Sequence, residues 1–90
     1  MANHPSAEKR ARQSLRRRTQ NRSVRARVRS FVKDFRTAVE AGDAEAAETQ
    51  LRATERELRK AASKGVLKPK WVSRNVSRLA KQLDRARSSA

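Results

Sequence analysis

Residues 9–29 constrain the fold of this chain more than any other stretch. Ten of these 21 positions are basic: Lys9, Arg10, Arg12, Arg16, Arg17, Arg18, Arg22, Arg25, Arg27 and Arg29. Placed at about 100° per residue, their side chains surround a helix axis almost completely. A helix charged on every side has no face to bury against its own protein. Residues 6–23 are therefore expected either to fray in the free chain or to be held by something outside it.

Apolar order begins where the charge thins. Val24, Val28, Phe31, Val32, Phe35, Ala38 and Val39 fall within an arc of roughly 120°, the width of a packing stripe. Leu15 points nearly opposite, and Arg17 occupies the stripe's extrapolated path, so packing is expected from Val24 onward. The first helix is predicted over about 6–41 and closed by Gly42, a residue that adopts the left-handed conformation without strain. Asp43 suits the cap of a second helix over about 44–63, whose apolar side is Ala44, Ala47, Leu51, Thr54, Leu58, Ala61 and Ala62. Glu48/Arg52 and Glu55/Arg59 stand four apart outside that side, at ion-pair spacing.

Lys64-Gly65 punctuates the second end. Pro69 opens a third helix over about 69–86, since its missing N–H would have had no intrahelical partner there. Val72, Val76, Leu79, Leu83 and Ala86 form its stripe; Trp71, at the stripe's edge, is expected to lid the small core, with base stacking as the alternative role. Residues 87–90 are expected to fray. These elements predict an all-α protein: one domain over residues 1–90, a three-helix bundle with an extended basic N-terminal first helix. That helix should overshoot the body by about four or five turns.

The charge is unevenly distributed. Lysine and arginine number 24 against 9 acidic residues, a formal charge of +15, beyond the magnitude of about 2–8 that serves solubility in a small domain. Residues 1–30 hold ten basic and one acidic residue, residues 31–60 six and seven, residues 61–90 eight and one. A uniform solubility coat would not leave the middle third neutral; a molecule with a polyanion side would. Arginine outnumbers lysine 17 to 7, which favours forked contact with phosphate oxygens. In the third helix Lys70, Arg74, Arg78, Lys81 and Arg85 occupy an arc of about 80° facing away from the apolar stripe, a ribbon suited to one phosphate strand.

Two basic surfaces predict a clamp between nucleic-acid segments, with most contacts to the backbone and specificity expected from the shape of folded RNA. Asn3, Gln13, Gln20, Asn21 and Asn75 are the available base-edge readers. Enzymatic chemistry is not expected, and neither is a cofactor or a small-molecule substrate. Cysteine is absent, which removes thiolate metal sites and cysteine nucleophiles. His4 has no metal-ligand companions, and no carboxylate pair is placed for acid–base work. No apolar run is long enough to span a membrane, and the N-terminal residues lack a signal peptide's apolar stretch; a cytoplasmic location fits.

Beyond these patterns the chain resembles a known family. Met1-Ala2-Asn3, then Ser6-Ala7-Glu8-Lys9-Arg10-Ala11-Arg12-Gln13-Ser14 and the arginine run to Asn21-Arg22, are similar to the N-terminus of the bacterial small-subunit ribosomal protein S-twenty family. Phe31-Val32-Lys33, Ala41-Gly42-Asp43, Ala61-Ala62-Ser63-Lys64-Gly65-Val66 and Ser77-Arg78-Leu79-Ala80-Lys81 resemble its later landmarks in the same order. The resemblance implies a protein that binds 16S rRNA directly, its long first helix inserted among RNA helices between the 5′ domain and the long penultimate helix of the 3′ minor domain. A monomer within the particle is expected. The resemblance also implies RNA contact by the basic residues from Lys9 to Arg29 and by Lys64, Arg74, Arg78 and Lys81. Lys68-Pro69-Lys70-Trp71 and Asn75-Val76 depart from the family pattern. The alternative reading is a DNA-binding nucleoid-type or transcriptional helical protein, since long basic helices also suit DNA. A membrane-surface amphipathic protein is disfavoured, because the basic segment has almost no apolar face to insert.

Overall fold

The computed structural model describes residues 5–88. Asn3 and His4, singled out above, lie outside them, as do Ser89 and Ala90. The described chain forms three helices, α1 (Pro5–Glu40), α2 (Ala44–Ser63) and α3 (Pro69–Ser88).

The two inter-helix turns follow from their glycines. At the end of α1, Gly42 takes φ 75°. Its N–H donates to the Val39 carbonyl at 3.1 Å, and the Asp43 N–H reaches back to the Ala38 carbonyl at 3.3 Å. Gly65, at φ 78°, repeats the arrangement, with its own N–H on the Ala62 carbonyl and the Val66 N–H on that of Ala61, both at 3.0 Å. In each turn the pair of bonds satisfies carbonyls that the helix end would leave bare, at a φ that glycine adopts most readily. Asp43 then caps α2 by accepting from the Ala46 N–H on Oδ1 at 3.0 Å. Proline opens both α1 and α3, at the helical position where its lost donor is harmless.

The turns fold α1 and α3 back along α2, which packs against both, while α1 and α3 touch each other little. Val28 and Phe35 of α1, Ala47, Leu58 and Ala61 of α2, and Val72, Leu79 and Leu83 of α3 form the buried core. Thr54 is the one buried polar side chain among the described residues. Its hydroxyl lies 2.7 Å from the Gln50 carbonyl and 3.2 Å from that of Phe31, and Gln50 Nε2 donates to the same Phe31 carbonyl at 3.3 Å. A polar clamp between α1 and α2 thus sits beside the apolar seam.

Two details differ from expectation. α3 continues to Ser88 because Arg87, expected to fray, donates to Glu48 Oε2 at 2.6 Å and ties the helix end to α2. Trp71 does not lid the core: it is 45% exposed. Its neighbour Val72 takes the seam position, and one residue of helix rotation carries the indole off it.

The shape is elongated, 69 × 22 × 14 Å, with a radius of gyration of 18.0 Å against about 12 Å for a compact chain of this length. Much of the excess comes from α1. Every side chain from Ser6 to Gln20 is exposed, and the first buried residue of α1 is Val28. About 27 Å of helix therefore precedes Val24, where packing begins.

Candidate nucleic-acid interface

The projecting arm is built largely from residues that favour a helix, arginine above all, but their charge denies it a packing face. All ten basic residues between Lys9 and Arg29 are exposed, and so are Lys64, Lys70, Arg74, Arg78, Lys81 and Arg85. Lys9, Arg10 and Arg12 stand on the outermost turns of the arm. Most of the others fall into three groups.

Arg18, Arg22, Arg25 and Arg29 line a shallow groove along α1, about 290 Å³ in volume, together with Asn21. Their spacing of four, three and four residues keeps them on one side of the helix. Lys33 and Arg36, also exposed, continue the same row alongside the packed half of α1. Sequence reasoning misses these two because the arm is charged on all sides, which hides a row that stands out only where the body covers the neighbouring face. Their periodicity is the signal that could have found them.

A second group gathers where the arm leaves the body. Arg17, Gln20, Asn21 and Val24 of α1 face Lys64, Gly65 and Val66 of the α2–α3 turn across an open cleft of about 960 Å³. Lys64 is remote from the arm in sequence, and the pairing of α1 with α2 brings it there. Gln13, Arg16, Arg17 and Gln20 line a smaller depression further out on the arm.

The third group is the ribbon on α3. Lys70, Arg74, Arg78, Lys81 and Arg85 run along about 22 Å of helix, separated from the buried Val72, Leu79 and Leu83. Asn75, a candidate base reader, spends its amide locally: Nδ2 donates to the Trp71 carbonyl at 2.8 Å.

The carboxylates of α2 form ion pairs with other basic residues. Glu48, Glu55 and Glu57 of α2 hold Arg52 at 3.0 Å, Arg59 at 2.8 Å, Lys60 at 3.8 Å, Arg87 at 2.6 Å and Arg27 at 3.2 Å. All of these partners lie outside the three groups. The Glu48/Arg52 and Glu55/Arg59 pairs are legible as i,i+4 spacings; the Arg27–Glu57 and Arg87–Glu48 pairs join different helices and are not. Arg27 also places its guanidinium 5.9 Å from the centre of the Phe31 ring, within cation–π range. It therefore leans on the body while its side chain stays 65% exposed.

Among the described residues no three His, Cys, Asp or Glu side chains come together as a metal-binding set, and no helix is long and apolar enough to cross a membrane. What the arrangement offers is cationic surface on two helices, braced by a third that carries the acids.

Comparison with known proteins identifies the scaffold. The family model described as Ribosomal protein S20 matches residues 2–84. The chain belongs to the ribosomal protein S20 family. It is 47% identical to small ribosomal subunit protein bS20 of Solidesulfovibrio magneticus over 89 residues, 99% of this chain and 100% of that one. It is 51% identical to the bS20 of Anaeromyxobacter sp. (strain K) over 81 residues, 90% and 89% of the two chains. With the bS20 of Nitratidesulfovibrio vulgaris it shares 48% over 84 residues, 93% and 97%. The S20 match takes in the whole arm, the α2–α3 turn and α3 as far as Asp84; of the candidate RNA-contacting residues, Arg85 falls beyond it.

Proposed function

We infer that this chain is a structural component of the small ribosomal subunit that binds 16S rRNA directly and stabilises its folded form through phosphate contacts. It is not an enzyme, and its place in the ribosome puts it in the cytoplasm. The observation that carries the mechanism is the segregation of charge: α2 collects acids that neutralise nearby bases, while the arm and Lys70, Arg74, Arg78 and Lys81 of α3 present theirs outward. In this reading residues 1–90 act as one RNA-binding unit, a monomer within the particle. The arm lies between RNA segments, where its all-round charge meets phosphate on more than one side, and the α3 ribbon lies along a further strand. Lys33 and Arg36 extend the α1 row past the arm, and Arg17 with Lys64 grips the backbone at the cleft. Backbone contacts position the protein and carry no base information, so selectivity rests on the folded shape of the RNA.

Competition at fixed salt tests this reading, because salt weakens every such contact. The chain should stay on 16S rRNA in the presence of an equal molar phosphate of duplex DNA, and should remain with small subunits through a high-salt wash. Displacement by that DNA would favour a DNA-binding function and overturn the ribosomal one.

A further inference from the structure

The chain has one tryptophan and no tyrosine, and the structure leaves that tryptophan 45% exposed. With so few large apolar residues, the core would gain from covering it: an indole is among the largest apolar surfaces a side chain can bury. Instead Val72 fills the seam at 2% exposure, and Trp71 stands at the side of α3. At about 100° per residue it lies some 20° beyond Arg78 on the helix circumference, next to the basic ribbon. Lys70 and Arg74, one before and three after it, are exposed as well. No acceptor among the described residues meets the indole N–H. Asn75 Nδ2 bonds the Trp71 backbone carbonyl, which leaves the ring itself uncommitted.

We propose that Trp71 is a nucleobase-stacking residue: the α3 ribbon holds an RNA strand by its phosphates, and an unpaired base of that strand stacks on the exposed indole. This rests on the rRNA-binding reading above and deepens it, turning a sequence-blind ribbon into one that selects an unpaired base beside a phosphate track. Every base has a π face, so stacking discriminates paired from unpaired RNA more than one base from another. The flanking positive charges argue for RNA over an apolar protein partner as the occupant, since a protein surface of that kind would have to desolvate Lys70, Arg74 and Arg78.

As the chain's sole indole, Trp71 reports on its own environment. Titrating the full chain with 16S rRNA should quench its fluorescence strongly at saturation. Trp71→Ala should bind about tenfold more weakly, within the range for losing one base–aromatic stack, while Trp71→Phe, which keeps a ring, should stay close to the parent. Circular dichroism should show unchanged helicity in both. Saturating binding with unaltered emission, or full affinity in Trp71→Ala, would overturn the stacking role and leave the phosphate-binding reading standing. A blue shift without quenching would place the ring against an apolar surface and overturn it as well. Failure of the parent chain to bind 16S rRNA at all would remove both readings together.

Discussion

The two halves of α1 are one continuous helix with opposite dependencies. From Ser6 up to Val24 every side chain but Asn21 is exposed; after Val24, Val28 and Phe35 are buried against α2. Both halves have residues that allow a helix, so local preference does not separate them. Burial does: in proteins most helical stability comes from tertiary packing of one face, and an unpacked basic helix must also bear its own repulsion. The outer half is organised for a partner and the inner half for the protein itself.

The largest effect expected from this contrast is in hydrogen exchange on the free chain. Amides around Phe35 should approach the global stability, on the order of 5–13 kcal/mol for a chain of this length, while arm amides should exchange through openings near zero free energy. Uniform protection from Ser6 to Glu40 would break the comparison; arm protection that appears only with rRNA would sharpen it.

Next in size is Phe35→Ala. Phe35 is fully buried, so the change should cost about 3–5 kcal/mol in urea unfolding, enough to leave the body marginal. Leu15, 64% exposed on the arm, gives the matching control at the small end of the series.

Charge removal should divide the other way, affecting binding and not folding. Neutralising Arg74 and Arg78 together should weaken 16S rRNA binding by about tenfold or more, and the salt slope should fall by about one for each phosphate no longer engaged. Unchanged affinity would make that ribbon an ordinary solvated face. Glu57→Gln should destabilise the body by only about 0.2–1 kcal/mol, because its partners Arg27 and Lys60 are both largely exposed and screened. Smallest of all, Leu15→Ala should shift stability by less than about 0.5 kcal/mol; a larger effect would mean that the arm packs on something in the free protein.

Much of the fold is legible in the sequence because its signals are local. The start of packing at Val24, the glycine turns at Gly42 and Gly65, the Asp43 cap and the pairs Glu48/Arg52 and Glu55/Arg59 all depend on residues within a few positions of one another. The basic residues can be singled out for the same reason: the density of charge in residues 9–29 needs no structure to be seen. The orientation of Trp71 is harder, because a residue at the edge of a stripe falls inside or outside according to how closely the helices meet. Arg87 illustrates the same point, since a terminal arginine frays or holds according to whether a distant carboxylate comes within reach.

Three helices, a basic arm without a core face, and cationic surfaces suited to a polyanion all follow from the order of residues alone, since periodicity, capping and net charge act through near neighbours. Packing in three dimensions settled the rest. It made α2 the shared brace, brought Lys64 opposite Arg17 and Gln20 across a cleft, set Glu57 on Arg27 and Glu48 on Arg87, and left the indole in water. Those outcomes depend on the relative rotation and register of packed helices, which interlocking side chains set across the interface and no single helix encodes.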